Sequence, residues 1–239
     1  MNEVVPGAIK ATVNALATAA KEPSVKRFVL TSSSSAALVP KPNDPVTVTV
    51  DTWNDEVVAA AYADPPPSQG YIAYAASKTL SEREAWKFMR EKKPAFTFNA
   101  VLPNMNLGVN LDPVNQAYTS TSAFLVALFK GNSAPLASMP AQNFVDVQDD
   151  ALLHVAAAIH PGVASERIFA FAEPVNGDKL LAILRKLYPD RSFPANFQSD
   201  QDLSDIVPRK RAEELLRDMG KDGWTSLEES VRRNTKDLV

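Results

Sequence analysis

The stretch QGYIAYAASKTLSEREAWKFM, residues 69–89, sets Tyr74 and Lys78 one helical turn apart, with only Ala75, Ala76 and Ser77 between them. Residues i and i+4 share a helix face, so the phenol and the ammonium are expected to project side by side. A free tyrosine has a pKa near ~10 and gives up its proton poorly at neutral pH. A neighbouring ammonium favours the phenolate and can lower that pKa by ~1–3 units, which makes the phenol a workable proton donor to a carbonyl oxygen that is gaining hydride. The small residues between the pair would let a flat cofactor lie close against the helix. The competing reading is a surface lysine and a half-buried tyrosine that share this spacing by coincidence, and the pair alone does not decide between them.

The surroundings of that helix read as an α/β protein. Val4, Val5, Ile9, Val13 and Leu16 recur at three- and four-residue spacing, which predicts an amphipathic helix from about Glu3 to Lys21. The apolar run Phe28-Val29-Leu30 in VKRFVLTSS predicts a strand buried on both faces. A Pro-rich excursion follows, with a short helical piece near Trp53 to Ala63, before the helix of Tyr71 to about Glu91. AFTFNAVLP reads as a second buried strand, Thr119 to Lys130 as a helix, Phe144-Val145 as a short strand leading to a helix near Asp149, and RIFAFA as a third strand. Helical segments at Gly177 to Leu187, Pro208 to Met219 and Ser226 to about Lys236 finish the chain. Helices alternating with doubly buried strands imply a parallel sheet covered on both sides, and the helical tail implies a small C-terminal lobe.

Composition excludes several function classes. The 239 residues are enough to bury a core, 45% are hydrophobic, and the formal net charge is -3, so neither a nucleic-acid surface nor a basic membrane patch is expected. No apolar run approaches the roughly 18 residues of a membrane span. The first residues lack the basic and apolar blocks of a signal peptide, and there is no Cys, which predicts a cytoplasmic protein and rules out thiolate chemistry. Eighteen Pro against eight Gly gather in PKPNDP at 40–45 and DPPPSQG at 64–70, read as stiff surface loops.

Two further segments sharpen the meaning of the Tyr–Lys pair. RFVLTSSSSAA puts a serine cluster at the C-terminal end of a strand, where open α/β sheets bind ligands, and NAVLPN ends another strand at the same edge. A serine hydroxyl there could hold a substrate oxygen beside Tyr74; an ordinary capped turn is the simpler alternative.

With VKRFVLTSSSSAALVPKP, DTWND, YAASKTLSEREAWKFM, FTFNAVLPNMNLG, FVDVQDDALLHV and LRKLYPDRSFP in this order, the chain resembles the extended short-chain dehydrogenase/reductase family, of the NAD-dependent epimerase/dehydratase type. Within it, the chain is most similar to fungal NADPH-dependent aldehyde and ketone reductases, near the dihydroflavonol-reductase and methylglyoxal-reductase branch. The resemblance implies NADP(H) as cofactor and a small-molecule carbonyl compound as substrate, with no metal. It implies Tyr74 as proton donor, Lys78 as the residue that binds the nicotinamide ribose and acidifies the tyrosine, and Ser33 as the catalytic serine, with Ser32 and Ser34 one register step away. Pro103 and Asn104 would border the nicotinamide and the substrate, and Tyr71, Met139 and Gln142 would line the substrate pocket. Residues 1–239 would form one Rossmann-like reductase domain, with about 105–142 and 173–239 contributing the substrate lobe.

The resemblance starts only at the helix before the family's fifth strand. The chain contains no G-x-x-G-x-x-G and no G-x-G-x-x-G to hold a pyrophosphate, so the expected sheet is an incomplete, doubly wound one lacking its N-terminal strands, and weakened NADP(H) binding and impaired activity are expected of this chain. The strand RFVLT would then offer an unpaired edge, which predicts self-association or a partner chain. The expectation from a different function class is a non-redox protein on this scaffold, either a binding module or a cofactor-independent acid-base catalyst such as a cyclase or isomerase.

The remaining polar features read as structural. His154 falls among Leu152, Leu153 and Val155, and lies six residues from His160, not the four of a helical metal pair. Asp146, Asp149 and Asp150 fit N-capping and helix-dipole complementarity at a strand-to-helix turn. PRKRAEELLRD mixes both charge signs as a solvated helix face does, and Trp86, Phe88 and Met89 are expected in the core.

Overall fold

The computed structural model describes residues 3–64, 70–137 and 139–238. In chain order its elements are α1 (Val4–Ala19), β1 (Arg27–Thr31), β2 (Thr47–Val48), α2 (Asp55–Ala61), α3 (Gly70–Lys92), β3 (Thr97–Pro103), β4 (Met105–Leu107), α4 (Ser120–Phe129), α5 (Ala134–Ala137), β5 (Gln142–Asp146), α6 (Val147–Ile159), β6 (Arg167–Ala170), β7 (Glu173–Val175), α7 (Gly177–Leu187), β8 (Asp205–Ile206), α8 (Arg209–Asp218) and α9 (Leu227–Thr235). The Pro-rich loop expected at 64–70 falls almost wholly outside the described residues.

A parallel sheet ordered β1-β3-β6 forms the centre, with Phe28 opposite Phe98 and Val101 opposite Ile168. Strand side chains alternate between faces, and β3 shows how both faces are used. Phe98, Ala100 and Leu102 enter one core with Leu16 of α1 and Ala85 of α3. Val101 enters the other with Leu153, Ala156 and Ala157 of α6 and Leu215 and Leu216 of α8. Asn99, on the same face as Val101, is buried and satisfied: its Nδ2 donates to the Ala157 carbonyl at 2.8 Å and its Oδ1 accepts from the Glu166 amide at 3.0 Å. Helices on both faces of a parallel sheet make this the doubly wound α/β fold expected from the sequence.

The expectation that β1 is buried on both faces is corrected. Its residues are half-buried and Thr31 is exposed, because β1 is the edge strand and pairs only with β3 among the described residues. Beside it, Val147, Val155 and Ile159 of α6 remain exposed. A second small sheet, ordered β4-β5-β7, packs with α4, α7 and α9 around Leu107, Leu128, Phe129, Phe144, Leu181 and Val231. The two-residue strands β2 and β8 form a separate parallel pair.

Trp86, Phe88 and Met89 pack against the β3 core as expected, with Trp86 edge-on to Phe98 at 4.6 Å between ring centres. The helix α8 is solvated on one side only, since Ala212, Leu215 and Leu216 are buried.

Candidate active site

Helix α3 lies against α1 and against the turn that follows β1, and its small residues make that approach possible. Ala75 and Ala76 are fully buried, and Ala76 packs with Val5 and Ala61. The expectation that Ala75, Ala76 and Ser77 leave room for a flat cofactor is therefore corrected: their smallness serves helix packing, while the face carrying Tyr74 and Lys78 points elsewhere. A single helix period separates the two roles.

That outward face meets the C-terminal end of β1. Tyr74 Oη donates to Ser33 Oγ at 3.4 Å, and Lys78 Nζ donates to the Thr31 carbonyl at 3.1 Å while lying 5.9 Å from the centre of the Tyr74 ring. Ser33 has extended backbone and caps a short 3-10 turn, Ser34–Ala36, so its Oγ also accepts from the Ser35 amide at 3.3 Å and the Ser35 hydroxyl at 2.9 Å. Among the neighbouring serines, Ser32 turns the other way and donates to Glu82 Oε2 at 2.5 Å. Alternation along the extended strand end thus sends Ser32 inward to Glu82 and Ser33 toward the phenol.

These groups form one wall of a cleft of about 980 Å³, which Ser33, Tyr71, Tyr74, Lys78, Pro103, Asn104, Met139 and Gln142 all line. Tyr71 stacks on Tyr74 with ring centres 6.3 Å apart, and desolvation, helped by the Tyr74 phenol, pushes its own phenol up to about 12. Pro103 ends β3, and Asn104 Oδ1 accepts from the Met105 amide at 2.9 Å. Gln142 opens β5 with its amide 3.5 Å from the Pro140 carbonyl, and Met139 is half-buried on the second core. Burial draws the Lys78 ammonium below its ordinary value, and the Glu82 carboxylate one turn along pushes it back up.

The opposite wall had no motif to announce it. Leu38, Pro40, Val109, Asn110, Leu111, Gln116 and Phe124 also line the cleft; the sequence reads 104–118 as a loop and the resemblance puts about 105–142 in the substrate lobe, but neither singles out a site residue among 108–119. His154 takes the structural role expected of it, through polar rather than apolar contacts. Its Nε2 lies 2.9 Å from Thr31 Oγ1 and its Nδ1 2.8 Å from the Asp150 carbonyl, so it ties α6 to the strand end that Lys78 also binds. Burial disfavours its charge, but hydrogen bonds to Asp150 and that carboxylate's field outweigh this and raise its pKa. His160 sits 3.6 Å from Asp218. Asp146 caps α6 by accepting from the Gln148 amide at 2.9 Å, and Asp149 accepts from the Thr225 amide at 2.7 Å and pairs with Lys221. Among the described residues no group of His, Cys, Asp and Glu could hold a metal ion, and no described helix is long and apolar enough to cross a membrane.

No family model matches the chain. It is 45% identical over 245 residues to aldehyde reductase 2 of Sporidiobolus salmonicolor, covering 100% of this chain and 69% of that protein. It is 35% identical over 233 residues to the NAD-dependent epimerase/dehydratase terH of Aspergillus terreus, covering 96% of this chain and 68% of the relative. In fold it matches Gre2 from Candida albicans, solved in complex with NADPH, with a TM-score of 0.82 at 21% identity over 97% of this chain and 69% of that one. On the strength of the identity and coverage shared with these relatives, the chain belongs to the extended short-chain dehydrogenase/reductase family.

Proposed function

We propose that this protein reduces an aldehyde or ketone to the alcohol at the expense of NADPH, with Tyr74 as the proton donor. The observation that carries the reading is the convergence of Tyr74 Oη, Ser33 Oγ and Lys78 Nζ on one strand end at the wall of a single cleft. Its relative from Sporidiobolus salmonicolor is named an aldehyde reductase, and that name supports the same chemistry here.

The residues present fit the nicotinamide end of such a cofactor. Lys78 and Tyr74 would hold the ribose, and Pro103 would border the ring. NADPH, when bound, supplies the hydride. The polypeptide does the rest. Ser33 Oγ, already accepting from Ser35, can turn its own hydrogen to the substrate carbonyl oxygen and hold it beside the phenol. Tyr74 Oη gives its proton to that oxygen as negative charge builds there. Lys78, held by the Thr31 carbonyl, keeps a positive charge near the phenol as it becomes phenolate. Asn104, Met139, Gln142 and Tyr71 fix the rest of the substrate, and the core built on α4, α7 and α9 is the scaffold of that lobe.

Isothermal titration of the purified chain with NADPH tests the reading. Saturable binding is the expected result, and an affinity in the micromolar range supports the reading most strongly. No heat at millimolar cofactor overturns it for this polypeptide.

A further inference from the structure

Three consecutive residues at the end of β1 each bind the same face of α3. Thr31 accepts from Lys78 at 3.1 Å, Ser32 donates to Glu82 at 2.5 Å, and Ser33 accepts from Tyr74 at 3.4 Å. Tyr74, Lys78 and Glu82 follow one another at four-residue steps, so one helical stripe is matched to one strand end. The middle contact is the buried one. Glu82 is 0% exposed, and besides Ser32 it accepts from Arg167 Nε at 2.6 Å and Trp86 Nε1 at 3.2 Å. Arg167 is anchored in turn: its guanidinium donates to the carbonyls of Val50 and Thr52 at 2.6 and 2.8 Å and lies 3.8 Å from the centre of the Trp53 ring.

A buried ion pair gains little stability over apolar side chains of the same volume, because both charges must leave water. What a carboxylate with three donors adds is direction. It admits one rotation of α3 and one register of the strand end, where an apolar contact would tolerate several. Slippage of about 1 Å at a reacting group can cost ~100-fold in rate.

We propose that Glu82 is the positioning residue of this site: by holding Ser32, it sets the strand end so that Thr31 and Ser33 meet Lys78 and Tyr74. It is fully buried and does not line the cleft. A second consequence follows from its place one turn from Lys78. Around that ammonium stand Tyr74 and Glu82 on α3 and the Thr31 carbonyl on β1, with His154 and Asp150 of α6 behind Thr31 and Arg167 of β6 engaged by Glu82. Glu82 stands one helical turn from Lys78, and its field opposes the loss of charge that burial favours there.

The test has two arms, and the kinetic arm alone rests on the reductase reading. In the first, the pH dependence of Lys78 acetylation by acetic anhydride is followed by peptide mass spectrometry in the parent and in Glu82→Gln. The midpoint should move to lower pH in Glu82→Gln; an unchanged midpoint overturns the electrostatic part whether or not the protein reduces anything. In the second, Ser32→Ala leaves the Glu82–Arg167 pair intact and so keeps the fold. It should lose ~10- to 100-fold in kcat with KM unchanged, and Ser32→Thr should recover most of the loss. Full kcat in Ser32→Ala overturns the positioning role. A protein that binds no NADPH but still shows the shifted Lys78 midpoint refutes the proposed function and leaves the Glu82–Lys78 coupling standing.

Discussion

The two walls of the cleft are built differently. On the α3 side, the hydrogen bonds Tyr74–Ser33, Lys78–Thr31, Glu82–Ser32 and Glu82–Arg167 join residues 41 to 85 positions apart. They lock a helix, the end of β1 and β6, on the far side of β3, into one arrangement. On the other side, residues 108–119 are tied mainly to themselves. Asp112 accepts from the Asn115 amide at 3.1 Å, Asn110 Oδ1 accepts from the Asp112 amide at 3.0 Å, and Leu111 and Val114 are each 89% exposed. Long-range bonds hold groups to the tolerance that chemistry needs, and a locally closed loop can vary without disturbing them. On the proposed reductase reading, the α3 wall would set rate and the loop wall substrate choice.

The largest expected break in that contrast is Tyr74→Phe, which removes the proposed proton donor and should lower kcat by ~10²- to 10⁴-fold. The ring is 45% exposed, so far-UV circular dichroism and the unfolding midpoint should stay put. Next comes Glu82→Ala, which leaves Arg167 buried without its carboxylate. Urea unfolding should show a loss of about 3–5 kcal/mol. Gly108→Ala probes the point where the loop wall leaves β4. Its φ is +125° and an added Cβ would stand 2.8 Å from Asp146 Oδ2, so a loss of about 1–3 kcal/mol is expected in the same assay.

Smaller effects sharpen the comparison. Leu111→Ser should leave stability within about 0.5 kcal/mol and change KM a few-fold for bulky carbonyls, with kcat hardly altered, in steady-state kinetics. His154 has a raised pKa in the folded protein, so its contribution is full below the unfolded value of about 6.5 and disappears as pH rises through the folded value. The stability gap between the parent and His154→Gln should therefore be widest at acidic pH and narrow above neutrality.

Much of the rate-determining wall was legible in the sequence, and the reasons are physical. A four-residue step on a helix forces two side chains onto one face, so Tyr74 and Lys78 could be paired without coordinates. Strands β3 and β6 were legible because a doubly covered strand reads as a near-continuous apolar run, which Asn99 interrupts in β3. The serine register was open among Ser32, Ser33 and Ser34, since alternation at a strand end depends on where the strand stops. Two- and three-residue strands such as β2, β4, β7 and β8 are too short to show a period. The partnership of Glu82 with Arg167 spans 85 residues and leaves no local trace. Ala75 and Ala76 were misread because small residues suit a cofactor and a neighbouring helix equally well. The resemblance put about 105–142 in the substrate lobe, but no motif singled out a residue among 108–119 as lining the cleft.

The most direct test is spectrophotometric: NADPH absorbance at 340 nm is followed with the purified protein and a set of uncharged aldehydes and ketones, with product analysis by chromatography. The account predicts carbonyl-dependent NADPH loss matched one-for-one by alcohol, and its near-disappearance in Tyr74→Phe. Alcohol formed at an undiminished rate by Tyr74→Phe, or no carbonyl-dependent NADPH loss by the parent protein, would contradict it.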